Sequence, residues 1–284
     1  MNFELILNEI GENSKLLQSS PVSGGDINEA WMLQTETRKY FLKTNREESI
    51  NFFHAEADGL KEIASSNAIA VPFVFKTGTI DCVPFLLMEW IEGRKTEHTE
   101  TELGTKLAAM HQTFHTKFGY GSDTYMGKLP QKNGWHKNWV RYYRNERLKP
   151  QLELAIGRGH MPVPRRRSME KLLMNLDRWL GHHPKPSLLH GDLWGGNWMT
   201  GESGNPVLID PSVLYGDHEF EIAFTELFGG FSQAFYSSYQ EAFPLSEGYE
   251  DRKPLYRLYY LLAHLNMFGE SYGRAVDQII SRYA

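Results

Sequence analysis

The chain is most constrained by two neighbouring segments, Leu188 to Asn197, reading LLHGDLWGGN, and Val207 to Pro211, reading VLIDP. Each sets a short apolar run beside polar residues, so each reads as a buried strand that ends in a functional turn. The first carries Asp192 and Asn197 on a glycine-containing loop, and the second delivers Asp210 from the strand Val207-Leu208-Ile209. A fold that accepts them must hold two carboxylates and a carboxamide on separate, rigidly connected segments. Taken alone, Asp192 and Asn197 also suit a loop that stabilises itself through Asx turns.

The spacing H-x-D-x-x-x-x-N is that of a phosphoryl-transfer catalytic loop, in which the Asp takes the acceptor hydroxyl proton and the Asn holds magnesium. His190, Asp192 and Asn197 keep it, with Gly191 where protein kinases have Arg. Magnesium takes a few hard oxygen ligands and completes its octahedron with phosphate and water. Asn197 and Asp210 are therefore the candidate metal ligands and Asp192 the candidate base. No His/Cys cluster with zinc spacing competes.

Such an enzyme needs a lysine on a strand and a glutamate on a helix to hold it. Lys39 to Lys43, KYFLK, alternates so that Lys39, Phe41 and Lys43 share one face and Tyr40 and Leu42 the other. Lys43 is the candidate phosphate-binding lysine. Asn45 to Ser66 reads as a helix with Asn45 as N-cap and Glu48 three residues on, and with Ile50, Phe53, Ala57, Leu60 and Ala64 along one stripe. Glu56 abuts that stripe, so it either pairs with Lys43 or lays its stem along the stripe with its head in water. Upstream, Gly24 and Gly25 in SGGDIN fit a plain hairpin turn or a backbone cradle for phosphate. FLLMEWIEG at Phe85 reads as a core strand and turn, or as a strand entering an interlobe hinge whose residues Met88, Glu89, Trp90 and Ile91 meet adenine through the main chain.

Over nearly its whole length the chain resembles the fructosamine kinase (ketosamine 3-kinase) family, within the aminoglycoside phosphotransferase-like and protein-kinase-like superfamily. The matching segments are SGGDINEAW, YFLKTN, FHAEADGL, LPQKNGW, LLHGDLWGGN, VLIDPSVLYGDHE, ELFGGF and PLYRLYYLLAHLNMFG. The resemblance implies an α+β, bilobal kinase-like fold. Residues 1–88 would form a small ATP-binding lobe with an antiparallel sheet and a helix, 89–93 the hinge, and 94–284 a larger, mainly helical catalytic lobe. It also implies phosphorylation of the 3-hydroxyl of a ketosamine, free or on a protein lysine, with ATP and Mg2+. The unstable 3-phosphate then releases the amine. Trp194 becomes a platform for the sugar-amine substrate, although a core tryptophan fits the same letters. An indole face suits both sugar C-H groups and a secondary ammonium.

Two departures from the family pattern stand out. Glu221 occupies a position where Asp usually braces the catalytic loop, and Asp26 stands where some relatives carry a cysteine in the phosphate loop. Two other functions remain open: a kinase of the same fold for an aminoglycoside, choline or a sugar, and a silent relative that only binds ligand.

Composition and local pattern agree with a soluble enzyme. A formal charge of -5 over 284 residues argues against a nucleic-acid binder, and Arg165 to Arg167 reads as a solvated loop after Pro164. The single cysteine, Cys82, implies no disulfide framework and a cytoplasmic protein. The start of the chain reads as a short amphipathic helix, and no run approaches membrane-span length. Thr99 to Phe118 reads as a helix with a Thr99/Glu102 capping box and Leu103, Leu107, Met110 and Phe114 on one face. On it, His111 and His115 read as core and surface histidines rather than metal ligands. Trp135 to Glu153 reads as helical, packed or lining a pocket, and Pro254 to Phe268 as a core helix.

Overall fold

A computed structural model describes residues 2–23 and 28–284. The chain opens with α1 (Phe3–Asn8), β1 (Leu16–Pro21), β2 (Glu29–Thr35), β3 (Lys39–Thr44), α2 (Ile50–Ser65), β4 (Val74–Ile80) and β5 (Val83–Glu89). The five strands form one antiparallel sheet in the order β1-β2-β3-β5-β4. Period-two alternation decides its faces. Tyr40 and Leu42 are buried with Ile6, Leu7, Leu33, Phe85 and Leu87, while Phe41 and Met88 pack on Phe52, Phe53, Ala57 and Leu60 of α2. Gly24, Gly25 and Asp26 lie outside the described residues.

α2 starts later than its sequence pattern suggests. Asn45 is no cap: its side chain accepts from Glu47 N at 2.9 Å and donates to Asn28 Oδ1 at 2.9 Å, which holds a turn. Ser49 is the N-cap residue, without a side-chain cap bond. The buried stripe runs through Phe52, Phe53, Glu56, Ala57, Leu60 and Ile63, and leaves Ile50 half-buried and Ala64 exposed.

The remainder is mainly helical: α3 (Thr99–His111), β6 (Thr124–Met126), β7 (Leu129–Gln131), α4 (Trp139–Tyr142), a π-helical turn (Tyr143–Leu148), α5 (Lys149–Gly157), α6 (Val163–Asn175), β8 (Ser187–Leu189), β9 (Trp198–Thr200), β10 (Pro206–Leu208), β11 (Leu214–Gly216), α7 (His218–Phe228), α8 (Gln233–Ala242), α9 (Tyr249–Phe268) and α10 (Gly273–Tyr283). One large core cluster unites these elements, and α9 supplies it with Leu255, Tyr256, Leu258, Tyr259, Tyr260, Leu262 and Leu265. The architecture is α+β, as the sequence predicts. No helix among the described residues is long and apolar enough to cross a membrane.

Three local expectations fail for identifiable reasons. α3 stops at His111, and Thr99 forms no capping box because its hydroxyl donates to Gly204 O at 2.8 Å and accepts from Thr96 N at 2.9 Å. Phe114 therefore leaves the helix and is exposed. The helical run expected from Trp135 begins at Trp139, since His136 pairs with Phe118 as an isolated bridge. Arg165 to Arg167 lie inside α6, whose first turn takes Pro164 without loss because the N-H of that turn has no intrahelical partner. Arg165 is buried and bonds both Asp277 and Glu270.

Candidate active site

Three separate parts of the chain converge on one cluster of polar side chains. Lys43 is fixed by its strand, paired with Ala30 on β2 and Leu86 on β5. Its ammonium donates to Glu56 Oε1 at 2.8 Å and makes a short contact with Asp210 Oδ1. Burial lowers the Lys43 pKa, but the Asp210 and Glu56 carboxylates outweigh it and hold the amine charged. Burial pushes Glu56 up to about 7, against the opposing ammonium. Glu56 therefore takes the ion-paired position anticipated for it, not a solvated one.

α2 is tied down on its far side as well. Glu62 accepts from the Tyr215 hydroxyl at 2.7 Å, and a Cβ on Gly59 would fall 3.0 Å from Pro211 Cγ, one residue after Asp210. The helix thus fixes Glu56 relative to both the sheet and the Asp210 segment.

The loop after β8 is built from main-chain constraints. Gly191 has φ +85°, and a Cβ there would lie 1.9 Å from Ser212 O. This close approach excludes any larger residue and accounts for glycine where protein kinases carry arginine. His190 Nε2 donates to Ile209 O at 2.8 Å, so its Nδ1 is left to accept from Asp192 N at 3.3 Å. Burial lowers the His190 pKa and keeps the ring neutral.

Glu221, fully buried, accepts from His190 N at 3.0 Å and Gly191 N at 2.6 Å. The longer side chain spans the distance to the loop. His111 Nε2 donates to the same carboxylate at 2.8 Å, and His111 Nδ1 meets the Tyr239 hydroxyl at 2.6 Å. Burial raises the Glu221 pKa, but the His111 hydrogen bond overturns that and keeps it ionised. His111 is the core histidine its sequence suggests, and it reaches the Asp192 loop through one carboxylate.

Asn197 donates its amide to Asp192 O at 2.7 Å, which leaves Oδ1 as its acceptor. Ile209 N donates to Asn197 O at 3.0 Å and so ties the loop to the segment of Asp210. Asp210 adopts φ +55°, a left-handed conformation that Asp tolerates better than most residues, and its side chain is 43% exposed. Partial burial raises its pKa, but the Lys43 ammonium in contact with it overrides that and holds it below the usual aspartate value. Asn197 Oδ1 and the Asp210 carboxylate are hard oxygen donors suited to Mg2+. Burial raises the Asp192 carboxyl well above the usual aspartate range, and the Asp210 charge raises it further.

Trp194 is 46% exposed, with its ring lying over the backbone of Gly196, where a Cβ would fall 2.3 Å from Cη2. It is not a core tryptophan. Of the expected adenine contacts, Met88 has its side chain buried against α2, and Glu89 N already donates to Phe73 O at 2.8 Å. Trp90 and Ile91 are half-buried. One contributor escaped sequence reasoning: the Tyr260 hydroxyl donates to Gly191 O at 3.3 Å, and a tyrosine in a helix apolar all round gives no local sign of such a contact.

The family model described as fructosamine kinase matches residues 2–284. A curated relative from Enterococcus faecium, named "Probable ketoamine kinase", is 42% identical over 287 residues and covers 100% of both chains. A "Protein-ribulosamine 3-kinase, chloroplastic" from Oryza sativa subsp. japonica is 38% identical over 96% of this chain and 80% of its own. A crystal structure from Haemophilus somnus, provisionally named a fructosamine-3-kinase, superposes with a TM-score of 0.88 at 30% identity over 99% of this chain and 95% of that one. Aminoglycoside phosphotransferase APH(4)-Ia shares the fold at TM-score 0.67 and 16% identity, covering 98% and 97%.

Proposed function

Because the chain belongs to the fructosamine kinase family, we propose that it transfers the γ-phosphoryl group of ATP to the 3-hydroxyl of a ketosamine, free or on a protein lysine, in the cytoplasm. The observation that carries this reading is the convergence of Lys43, Glu56 and Asp210 beside Asp192 and Asn197. Phosphoryl transfer passes through a loose transition state, so catalysis is chiefly positioning and neutralisation of charge.

In this reading Lys43 binds the phosphates and Glu56 keeps it extended toward them. Residues 89–93 form the hinge between lobes 1–88 and 94–284, and Met88 to Ile91 meet adenine through main-chain groups other than the Glu89 N-H, which Phe73 O already takes. Gly24 and Gly25 precede the Lys43 strand, where a phosphate loop belongs. Asn197 and Asp210 would hold Mg2+, which neutralises phosphate charge when bound. Asp192 accepts the proton of the attacking hydroxyl, and its raised pKa makes it a stronger base than an ordinary aspartate. Trp194, exposed beside it, offers a face to the sugar and its ammonium.

The test is phosphate transfer from Mg-ATP across ribulosamines, erythrulosamines and fructosamines, with an aminoglycoside and choline as competing acceptors and with the product mapped by NMR. Phosphorylation at the 3-hydroxyl of a ketosamine is the expected result. Transfer to the aminoglycoside or choline alone would refute it.

A further inference from the structure

The segment LPQKNGW, Leu129 to Trp135, carries no group of the candidate site, yet its middle is anchored to buried residues. Gln131 ends β7, pairs with Thr124 on β6 and is buried. Its carboxamide oxygen accepts from two hydroxyls, Thr124 Oγ1 at 3.3 Å and Ser212 Oγ at 3.2 Å. The next two residues are clamped by Arg147, also buried, which donates to Lys132 O at 3.2 Å and to Asn133 Oδ1 at 2.8 Å. At the other strand of the hairpin the Tyr125 ring lies 5.0 Å from Phe52, one turn before Glu56 on α2. The β6-β7 hairpin therefore spans from the helix that bears Glu56 to the segment that follows Asp210.

Ser212 is where that reach matters. Its N-H donates to His190 O at 2.8 Å, and its carbonyl lies so close to Gly191 that a Cβ there would fall 1.9 Å away. Asp210 stands two residues before Ser212, and Asp192 follows Gly191 directly. Ser212 thus joins the Asp210 segment to the Asp192 loop through its main chain, and Gln131 grips its side chain from an element that belongs to neither. The grip is made at the expense of stability elsewhere in the same carboxamide. Gln131 Nε2 is enclosed without a hydrogen-bond partner, a penalty that an apolar side chain of similar volume would avoid. One atom of Gln131 destabilises the fold while the other holds Ser212, as expected of a group placed for geometry.

We propose that Gln131 is a positioning residue for phosphoryl transfer: through Ser212 Oγ it fixes the Asp210 segment against the Asp192 loop and so sets the spacing between the base and the metal-binding carboxylate. This rests on the roles given to Asp192 and Asp210 above. Transfer needs hydroxyl, base and metal-bound phosphate in register, and small misplacements of such groups slow the chemical step more than they weaken binding. Gln131 should therefore act on kcat and leave the affinity for Mg-ATP, supplied by Lys43 and the sheet, nearly unchanged.

The test is a double-mutant cycle in steady-state kinetics with Mg-ATP and a ribulosamine. Gln131→Leu removes the bond from one side, and Ser212→Ala removes it from the other while the main-chain contacts of residue 212 persist, which keeps the question open to measurement should Gln131→Leu fail to fold. Each variant should lose about 10-fold in kcat with KM for ATP within about twofold of the wild type, and the double variant should be no slower than the single ones, because all three lack the same bond. Lys128→Ala, which breaks the exposed pair with Glu47 at the hairpin turn, should leave kcat unchanged. Unaltered kcat in both single variants, losses that multiply in the double variant, or a raised KM for ATP with kcat preserved overturns the positioning role while the proposed function stands. A wild type that phosphorylates no ribulosamine overturns both.

Discussion

Asp192 is held by its own loop: its N-H bonds His190 and its carbonyl accepts from Asn197, so the carboxylate projects from a fixed backbone. Asp192→Asn keeps that shape and removes the proposed base, and kcat should fall by about 10²- to 10⁴-fold in a coupled ADP assay. Unchanged turnover would remove Asp192 from the proton transfer. The raised pKa adds a pH signature. A carboxyl lifted above the ordinary aspartate value takes up a proton earlier as the solution is acidified. The base form, and with it kcat/KM, is therefore lost as pH falls through that raised value. The acid limb of the kcat/KM profile should lie well above pH ~3.9, the unperturbed aspartate value. A limb at the ordinary value would mean that another group controls it.

At the scale of elements, α7 positions the Asp192 loop and α6 is held in place by α10 and the turn before it. Glu221 on α7 serves two main-chain donors of the loop, and removing it leaves buried N-H groups unpaired at a cost of about 1–3 kcal/mol each. Glu221→Gln should lower kcat while leaving KM for ATP nearly unchanged, because Lys43 and the sheet do not depend on it. A rise in KM for ATP with kcat preserved would refute this division. Arg165 joins α6 to Asp277 on α10 and to Glu270. Arg165→Ala should lower Tm by a few degrees in calorimetry, with kcat at 25 °C intact. The sequence hides this arginine because three in a row after a proline look solvated, and burial is decided by which acids approach from residues about a hundred positions later.

Over the whole molecule, the candidate-site residues are drawn from the sheet, α2 and the helical part of the chain, so nucleotide binding should stabilise all of it. At about 100 times Kd, Mg-ATP should add about 2.7 kcal/mol to the folded state and raise Tm, and Lys43→Met should lose much of that shift. An identical shift in Lys43→Met would separate Lys43 from the nucleotide. The α+β class followed from the family resemblance, whereas the Lys43 strand, the α2 segment, the loop bearing Asp192 and Asn197, and the strand before Asp210 were readable in the linear pattern. Each depends on local periodicity, glycine placement and the types of donor atom that a reaction demands. Other features were decided only by tertiary structure. Glu56 pairs with Lys43 because the sheet and α2 pack as they do. Glu221 reaches the loop only because α7 docks beneath it. Thr99 gives up a helix cap to a turn more than a hundred residues away. Trp194 faces solvent with its ring against Gly196 because the surrounding core leaves no room for it inside. The division has one physical reason: backbone preference and side-chain alternation act between neighbours in sequence, whereas burial, charge pairing and hydrogen-bond partners depend on which distant segments the packed core brings into contact.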